Sequence, residues 1–316
     1  MKDGREVHTL ICHKHVNVGL KCLDSLLRFS QDPLKLVIHD DGTLTDKDAE
    51  EVKSKLDNAM LIRRDEADEK VKPMLANHPH CMKLREVNPL SLKLMDGPLL
   101  SNGDYAYCDA DVLFTRPFTG LFKWPDEKTS MVFMKDSIDS YVLKLRHVIG
   151  SGRMRILSKI NTGLIFVRRG GYSLDALENI VQKLDYRQGH QFYEQTCWAL
   201  MAAGAECRQY DPLRIRTTIS DVRGCLEDYR GLTGIHLTGP NKMNIDYMLD
   251  GLGSGDDEEV EEIGTVDAAE AGLKDLSRTI VYFTPAYGGY VRLYRDYYAN
   301  TRVYRMMRGI REKYGI

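Results

Sequence analysis

The segment Asp104-Tyr105-Ala106-Tyr107-Cys108-Asp109-Ala110-Asp111-Val112-Leu113-Phe114 sets the tightest limit on what this chain can fold into. It reads as a buried strand that ends in an Asp-x-Asp pair. Side chains alternate between the faces of a strand, so Asp109 and Asp111 are expected to point the same way. Two carboxylates side by side repel each other, and burying them unpaired is unfavourable. A divalent cation removes that penalty. Hard oxygen ligands suit Mg²⁺ or Mn²⁺, and such ions keep positions open for substrate phosphates. The pair therefore points to a strand end at which a metal holds a nucleotide diphosphate.

The rest of the chain supplies a setting for such a strand. Val7 to Cys12 is a short apolar run, and Val18 to Phe29 has helical spacing through Leu20, Leu23, Leu26 and Leu27. Leu34 to His39 reads as a second strand, stopped by Asp40-Asp41-Gly42. Thr45 is placed to cap a helix whose first turn holds Asp46 and Asp48. Met60 to Arg63 predicts a third strand, and Pro89 to Leu100 predicts a helix. Met131 to Met134 and Thr162 to Val167 read as strands, Leu174 to Leu184 and Gln191 to Ala203 as helices. This alternation predicts an α/β fold with a mainly parallel central sheet and helices on both faces. In such sheets ligands bind at the carboxyl ends of the strands. Asp40, Asp41, Asp109 and Asp111 all fall there.

Composition narrows the options. A chain of 316 residues holds one large α/β domain or two small ones. A net charge of -2 argues against a dedicated nucleic-acid binder. No apolar run approaches the roughly 20 residues of a membrane span. The polar start Met1 to Glu6 reads unlike a signal peptide. The seven cysteines include Cys12 and Cys108 inside apolar strands, with no Cys-x-x-Cys pair. Buried reduced thiols in a cytoplasmic protein account for them. Residues 1–245 read as the catalytic domain and 246–316 as an extension. Within the extension, Asp256-Asp257-Glu258-Glu259-Val260-Glu261-Glu262 reads as a mobile, solvated acidic loop. Tyr287 to Ile316 is basic and tyrosine-rich with helical spacing. One reading lays it on the anionic inner face of a membrane; the other packs it back on the catalytic domain.

Other groups bear on the chemistry. Lys93 precedes the Asp-x-Asp strand. Asn161-Thr162-Gly163 opens a strand, Glu194-Gln195 opens an apolar helix, and His236-Leu237-Thr238-Gly239-Pro240-Asn241-Lys242 joins an imidazole, a glycine turn and a lysine. His236 alone reads more readily as a satisfied structural histidine than as a ligand; the turn after it reverses that preference. Asp40 and Asp41 are either turn residues or acceptors for a nucleobase or ribose. Cys12-His13-Lys14-His15 ends the first strand, with histidines that could face a donor. His78-Pro79-His80-Cys81 reads as a surface loop, and Asp136 and Asp139 as loop acids or acceptor-side groups. The glycine-hinged basic stretch Arg146 to Lys159 reads as a lid or as a surface loop.

The ordered set Asp-Ala-Asp, Asn-Thr-Gly, Glu-Gln and His-x-x-Gly-Pro-x-Lys resembles the GT-A glycosyltransferases. It is most similar to the retaining family eight, the glycogenin and galactosyltransferase-like enzymes, over residues 7–242. The resemblance implies the GT-A nucleotide-diphospho-sugar transferase fold. It implies that Asp109, Asp111 and His236 ligate Mn²⁺ (or Mg²⁺), and that Gly239 and Lys242 meet the diphosphate. Lys93 would reach the donor sugar or a phosphate, and Asn161, Glu194 and Gln195 would act near the sugar. Cys12, His13, Asp40, Asp41, Ala110 and Thr162 would complete the nucleotide-sugar site. Two departures stand out: Glu194-Gln195 replaces the usual Asp-Gln, and no Lys-Pro-Trp ending follows the glycine turn. Asp40-Asp41-Gly42-Thr43 also resembles the inverting family two, which leaves both stereochemical outcomes open, with retention favoured by the resemblance. The expected activity is transfer from a UDP-sugar to an acceptor hydroxyl on a saccharide or lipid-linked precursor. A sugar nucleotidyltransferase is the second enzymatic reading, but Cys12 to Gly19 holds only one glycine for a phosphate loop. A silent nucleotide-sugar or glycan-binding protein is the third, and it has no need of Asp109, Asp111 and His236 together.

Overall fold

The computed structural model describes residues 4–272 apart from 57–58, 144–146, 148–153, 185–191, 219–220, 254 and 257. The chain enters through β1 (Arg5–Ile11), α1 (Val16–Phe29), β2 (Leu34–Asp40), α2 (Asp46–Lys55) and β3 (Met60–Ile62). β1 pairs in parallel with β2, and β2 with β3. Val16, Leu20, Leu23 and Leu26 of α1 form a buried stripe against this sheet. Thr45 caps α2 as the sequence predicts. Its hydroxyl accepts from Asp48 N at 3.2 Å, and Asp48 Oδ2 accepts from Thr45 N at 2.8 Å, a reciprocal capping box.

The middle of the chain adds α3 (Arg64–Met74), α4 (Pro79–Val87), α5 (Asp96–Leu100), β4 (Tyr105–Cys108), β5 (Val112–Phe114), β6 (Phe118–Thr119), β7 (Met131–Lys135) and β8 (Ile160–Val167). Then follow α6 (Leu174–Lys183), α7 (Tyr193–Met201), β9 (Cys207–Tyr210), β10 (Ile215–Thr217), β11 (Gly234–His236), α8 (Ile245–Leu252), β12 (Glu261–Glu262) and β13 (Thr265–Asp267). The large sheet has the order β13-β9-β7-β8-β4-β1-β2-β3. It is mixed. β1–β2, β1–β4, β2–β3 and β7–β9 are parallel, while β8 runs against both β4 and β7, and β13 against β9. Strand alternation divides the core in two. Tyr105 and Tyr107 face Trp198, Leu177 and Phe133; Ala106 and Cys108 face Leu23, Ile38 and Phe166. A small sheet, β10-β11-β5, stands beside the end of β4.

Several expectations are corrected. Asp104 to Phe114 is not one strand. The chain leaves the large sheet after Cys108, turns through Asp109-Ala110-Asp111 with Val112 N on Asp109 O at 3.1 Å, and re-enters the small sheet as β5. The two carboxylates converge through a turn and not through strand alternation. Pro89 to Leu100 is not one helix either: a 3-10 segment, Pro89–Lys93, precedes a separate α5. Pro98 has no N–H for the Leu94 carbonyl, which accepts instead from the Tyr172 hydroxyl at 2.7 Å. His78 to Cys81 is not a surface loop, since Pro79 occupies the first turn of α4 and Cys81 is buried.

The acidic run is held by strand pairing and ion pairs and does not form a free loop, although most of its side chains stay exposed. β12 pairs with β6, and Glu258, Glu261 and Glu262 lie 3.7, 3.0 and 3.3 Å from Arg116, Arg214 and Lys123. Asp256 also pairs with Arg28. β13 then extends the large sheet beside β9. Half of the basic stretch 146–159 (146 and 148–153) and all of 287–316 lie outside the described residues. All seven cysteines are free thiols, and no described helix is long and apolar enough to cross a membrane.

One buried pair makes the fold pH-sensitive. His8 Nδ1 lies 2.8 Å from His39 Nε2 between β1 and β2, and the outer nitrogen of each ring has no partner. Burial lowers the His8 pKa to about 4, with a small opposing effect of Glu6. Burial, with His8 and Arg85, lowers that of His39 to about 3. Both rings are neutral in the fold at pH 7, while in the unfolded chain they titrate near 6.5. Below that pH the unfolded state binds more protons, so stability is complete above about pH 6.5 and is lost as pH falls toward 4. The unfolding free energy should fall between pH 7 and pH 5 by up to ~1.4 kcal/mol per pH unit per ring, and the thermal midpoint should fall with it. A His39→Leu variant followed by circular dichroism should show a shallower fall.

Candidate functional site

Two backbone hydrogen bonds position the Asp109-Ala110-Asp111 turn. Asp109 N donates to Gly163 O of β8 at 2.7 Å, and Leu237 N, just past β11, donates to Asp111 O at 2.8 Å. The first brings Asn161 beside the turn. The second, with the antiparallel register His236↔Val112, brings His236 over it. One ligand atom each from Asp109, Asp111 and His236 lies within 4.8 Å of the others. His236 Nε2 is 3.1 Å from Asp111 Oδ1 and 3.8 Å from Asp109 Oδ2.

The imidazole is aimed from behind. His236 Nδ1 lies 2.9 Å from Asn161 Oδ1, which also accepts from Gly163 N at 2.8 Å. An amide oxygen only accepts, so Nδ1 carries the proton and Nε2 faces the carboxylates. Asn161 Nδ2 is anchored on Asp136 Oδ2 at 3.1 Å. Gly163 has to lack a side chain: a Cβ there would lie 2.6 Å from His236 Nδ1. Thr218 fixes the His236 carbonyl through its N–H and hydroxyl, at 2.9 and 3.1 Å. Burial alone would lower the His236 pKa, but the adjacent Asp111 carboxylate outweighs it and the pKa is raised. Burial would likewise raise Asp111, yet His236 and Lys242 hold it below the usual carboxylate range.

Two lysines neutralise the pair. Lys93 Nζ lies 2.8 Å from Asp109 Oδ2, 3.2 Å from the Thr162 carbonyl and 3.8 Å from Glu194 Oε2, with the Tyr107 ring 5.0 Å away. The Tyr107 hydroxyl donates to Asp109 Oδ1 at 2.8 Å. Lys242 Nζ lies 2.5 Å from Asp111 Oδ2, on a turn that Gly239 opens at φ +57°. Glu194 sits beneath Lys93, buried, with Oε2 accepting from the Thr162 hydroxyl at 2.8 Å and Oε1 without a partner. Burial, only partly offset by Lys93, raises its pKa to about 7.

A cavity of about 130 Å³ opens on this cluster at the carboxyl ends of β1 and β4. Cys12, Asp41, Asp109, Ala110, Asp111 and Lys242 line it together, joined by His15 and Leu90. Lys93, Asn161, Thr162, Glu194 and His236 lie behind its wall. Gln195 turns to the Ser140 carbonyl at 3.1 Å. Two expected residues are engaged elsewhere. Asp40 is buried, accepting from Gly42 N at 2.7 Å and pairing with Arg63 at 3.3 Å. The His13 ring is exposed and bonds Asp48 Oδ2 at 2.7 Å. Tyr107 and Thr218 were not singled out from the sequence, and Gly163 entered only as the last residue of the Asn-Thr-Gly motif, without its role beside His236; Tyr107 did carry a signal, two residues before Asp109 on a strand. A separate depression of about 860 Å³ lies at the opposite end of β1 and β2 around Arg5, Asp32, Lys35 and Trp124. Its Asp32 and Asp104 carboxylates are already bonded within the protein.

The cluster fits a divalent cation. Asp111 Oδ1 is buried and makes no hydrogen bond, although Nε2 is close. Two carboxylate oxygens and one imidazole nitrogen make a donor set that suits Mn²⁺.

No protein-family model matches the sequence, and no curated protein matches it. The fold does have solved counterparts. Mouse xyloside xylosyltransferase 1 in its apo form aligns with a TM-score of 0.50 at 12% identity, over 75% of this chain and 98% of that one. The galactosyltransferase LgtC in complex with donor and acceptor sugar analogues aligns at 0.47 and 11% identity, over 74% and 87%. The bifunctional glycosyltransferase WbbM in its apo form aligns at 0.49 and 11%, over 76% and 47%. The architecture is the GT-A fold.

Gly163→Ala is expected to push His236 off its axis and leave the sheet intact. Divalent-cation affinity, read by calorimetry with Mn²⁺, should fall by about 10- to 100-fold. Asn161→Ala should weaken it in the same direction.

Proposed function

We propose that this chain is a metal-dependent glycosyltransferase that passes a sugar from a nucleotide-diphosphate donor, a UDP-sugar, to an acceptor hydroxyl. The observation that carries this reading is the meeting of Asp109, Asp111 and His236 at the carboxyl end of the sheet, on the cavity that Lys242 also lines. The fold shared with a xylosyltransferase is in keeping with it. Mn²⁺ held by the three side chains would supply a Lewis acid for the negative charge that develops on the departing diphosphate. Lys242 adds a second positive charge at the cavity wall. Cys12 and Asp41, at the ends of β1 and β2, line the part of the cavity assigned to the nucleoside, where the Asp41 carboxylate can accept an N–H or a ribose hydroxyl. Ala110 leaves room at the turn for the diphosphate.

Retention of configuration is the stereochemistry we favour. Inversion needs a free base at the acceptor. Of the three described carboxylates that line the cavity, Asp109 and Asp111 already hold ammonium groups, and Asp41 lies at the assigned nucleoside end. Glu194, buried beneath Lys93, is assigned the task of holding Lys93 on Asp109. The acceptor is proposed to be a saccharide or its lipid-linked precursor.

The test is a screen for release of free nucleotide from UDP-, GDP-, CMP- and dTDP-sugars with and without Mn²⁺. One donor should be turned over only with metal, and Asp111→Asn should lower that rate by at least about 100-fold, the loss of a transition-state contact worth several kcal/mol. If no nucleotide sugar binds, or the variant matches the parent, the reading is wrong.

A further inference from the structure

The two lysines on the carboxylates are not equivalent. Lys93 is 4% exposed and enclosed by Asp109, the Thr162 carbonyl, Glu194 and the Tyr107 ring. Its buried ammonium thus has three acceptors and a π face around it. Lys242 is 26% exposed, lines the cavity, and sits in the short 3-10 turn Gly239–Asn244. Gly239 holds a positive φ, and nothing lies within 4 Å of where its Cβ would be. Among the described residues the Lys242 ammonium pairs with one carboxylate, Asp111 through Oδ2, which belongs to the cluster that fits a divalent cation.

We propose that Lys242 is an exchangeable counter-ion that couples metal binding to diphosphate binding. The inference rests on the reading that Asp109, Asp111 and His236 hold a divalent ion against a diphosphate. With Lys242 on Asp111, each carboxylate of the pair carries an ammonium, and an incoming dication meets a cluster that is already neutralised. A dication bound alone then has to displace Lys242 into water or share Asp111 with it. A diphosphate in the cavity changes this balance, because it offers the displaced ammonium an anionic partner on the same wall. The two ligands therefore favour each other beyond their direct contact, and linkage makes the effect reciprocal.

The size of the effect follows from Coulomb's law. At an effective dielectric near 20, one unit charge a few ångströms away changes a binding constant by at least about tenfold. Lys242→Met should therefore bind Mn²⁺ alone at least about tenfold more tightly than the parent. The factor by which saturating UDP tightens Mn²⁺ binding should shrink by about the same amount, without reaching unity, because direct contact between metal and phosphate remains. Lys21, a surface lysine paired with Asp246, provides the control, and Lys21→Met should leave both quantities unchanged.

The experiment is a titration of Mn²⁺ into the full-length parent and both variants, with and without UDP. It is read by the electron paramagnetic resonance of free Mn²⁺ and corrected for the Mn²⁺–UDP complex in solution. Thermal melts confirm that the variants are folded. Tighter metal binding with weaker coupling in Lys242→Met alone supports the exchange. Equal metal affinity and equal coupling in parent and Lys242→Met overturn it while leaving the transferase reading intact. If no protein binds Mn²⁺ with or without UDP, both readings fall together.

Discussion

Everything at the candidate site depends on how one tight turn is suspended. The Asp109 amide is tied to Gly163 and the Asp111 carbonyl to Leu237, so the turn bridges the large sheet and the small one. Those ties set a buried carboxylate, Asp111, beside a partly buried one, Asp109, an arrangement that is costly without partners. The surroundings then compensate: an ammonium on each carboxylate, a tyrosine hydroxyl on one, and an imidazole between them. Asn161 is the residue through which these parts communicate. It orients His236 with its oxygen and is itself anchored on Asp136.

The order of strands and helices was readable in the first third of the chain because local signals there agree with the global fold. The α1 stripe, the Thr45 cap and the apolar runs of β1 and β2 each have a short-range physical cause. Legibility failed where distant partners decide. Nothing near Asp256 to Glu262 in sequence reveals that Arg28, Arg116, Lys123 and Arg214 await it, so a charge run reads as a solvated loop. The same holds for the break at Lys93, where hydroxyls from Tyr105 and Tyr172 take carbonyls that a continuous helix would use. The Asp-x-Asp pair was identified correctly as converging, for a reason that the structure replaces: a turn does what strand alternation was expected to do.

The site shows the same division. Residue types at strand ends pointed to Asp109, Asp111, Asp41 and Cys12, which do share one cavity. His236 was legible only with the turn that follows it, and the small sheet that delivers it was not foreseen. Asp40 and Asp41 are neighbours with the same chemistry, yet one is consumed by Arg63 and the turn amides while the other faces the cavity. β2 ends at Asp40 and Asp41 opens the turn after it, so which of the two meets the cavity is decided by the tertiary fold. Gly163 is the clearest case of a residue whose importance lies in what it lacks.

The two outermost strands of the large sheet, β3 and β13, are each only three residues long. An exposed sheet border is a template on which another polypeptide can lay an added strand, and short borders give it little to hold. On β13 the exposed Asp267 further pairs across to Arg208. Among the described residues, the eight-stranded sheet thus offers only short margins to edge-to-edge aggregation.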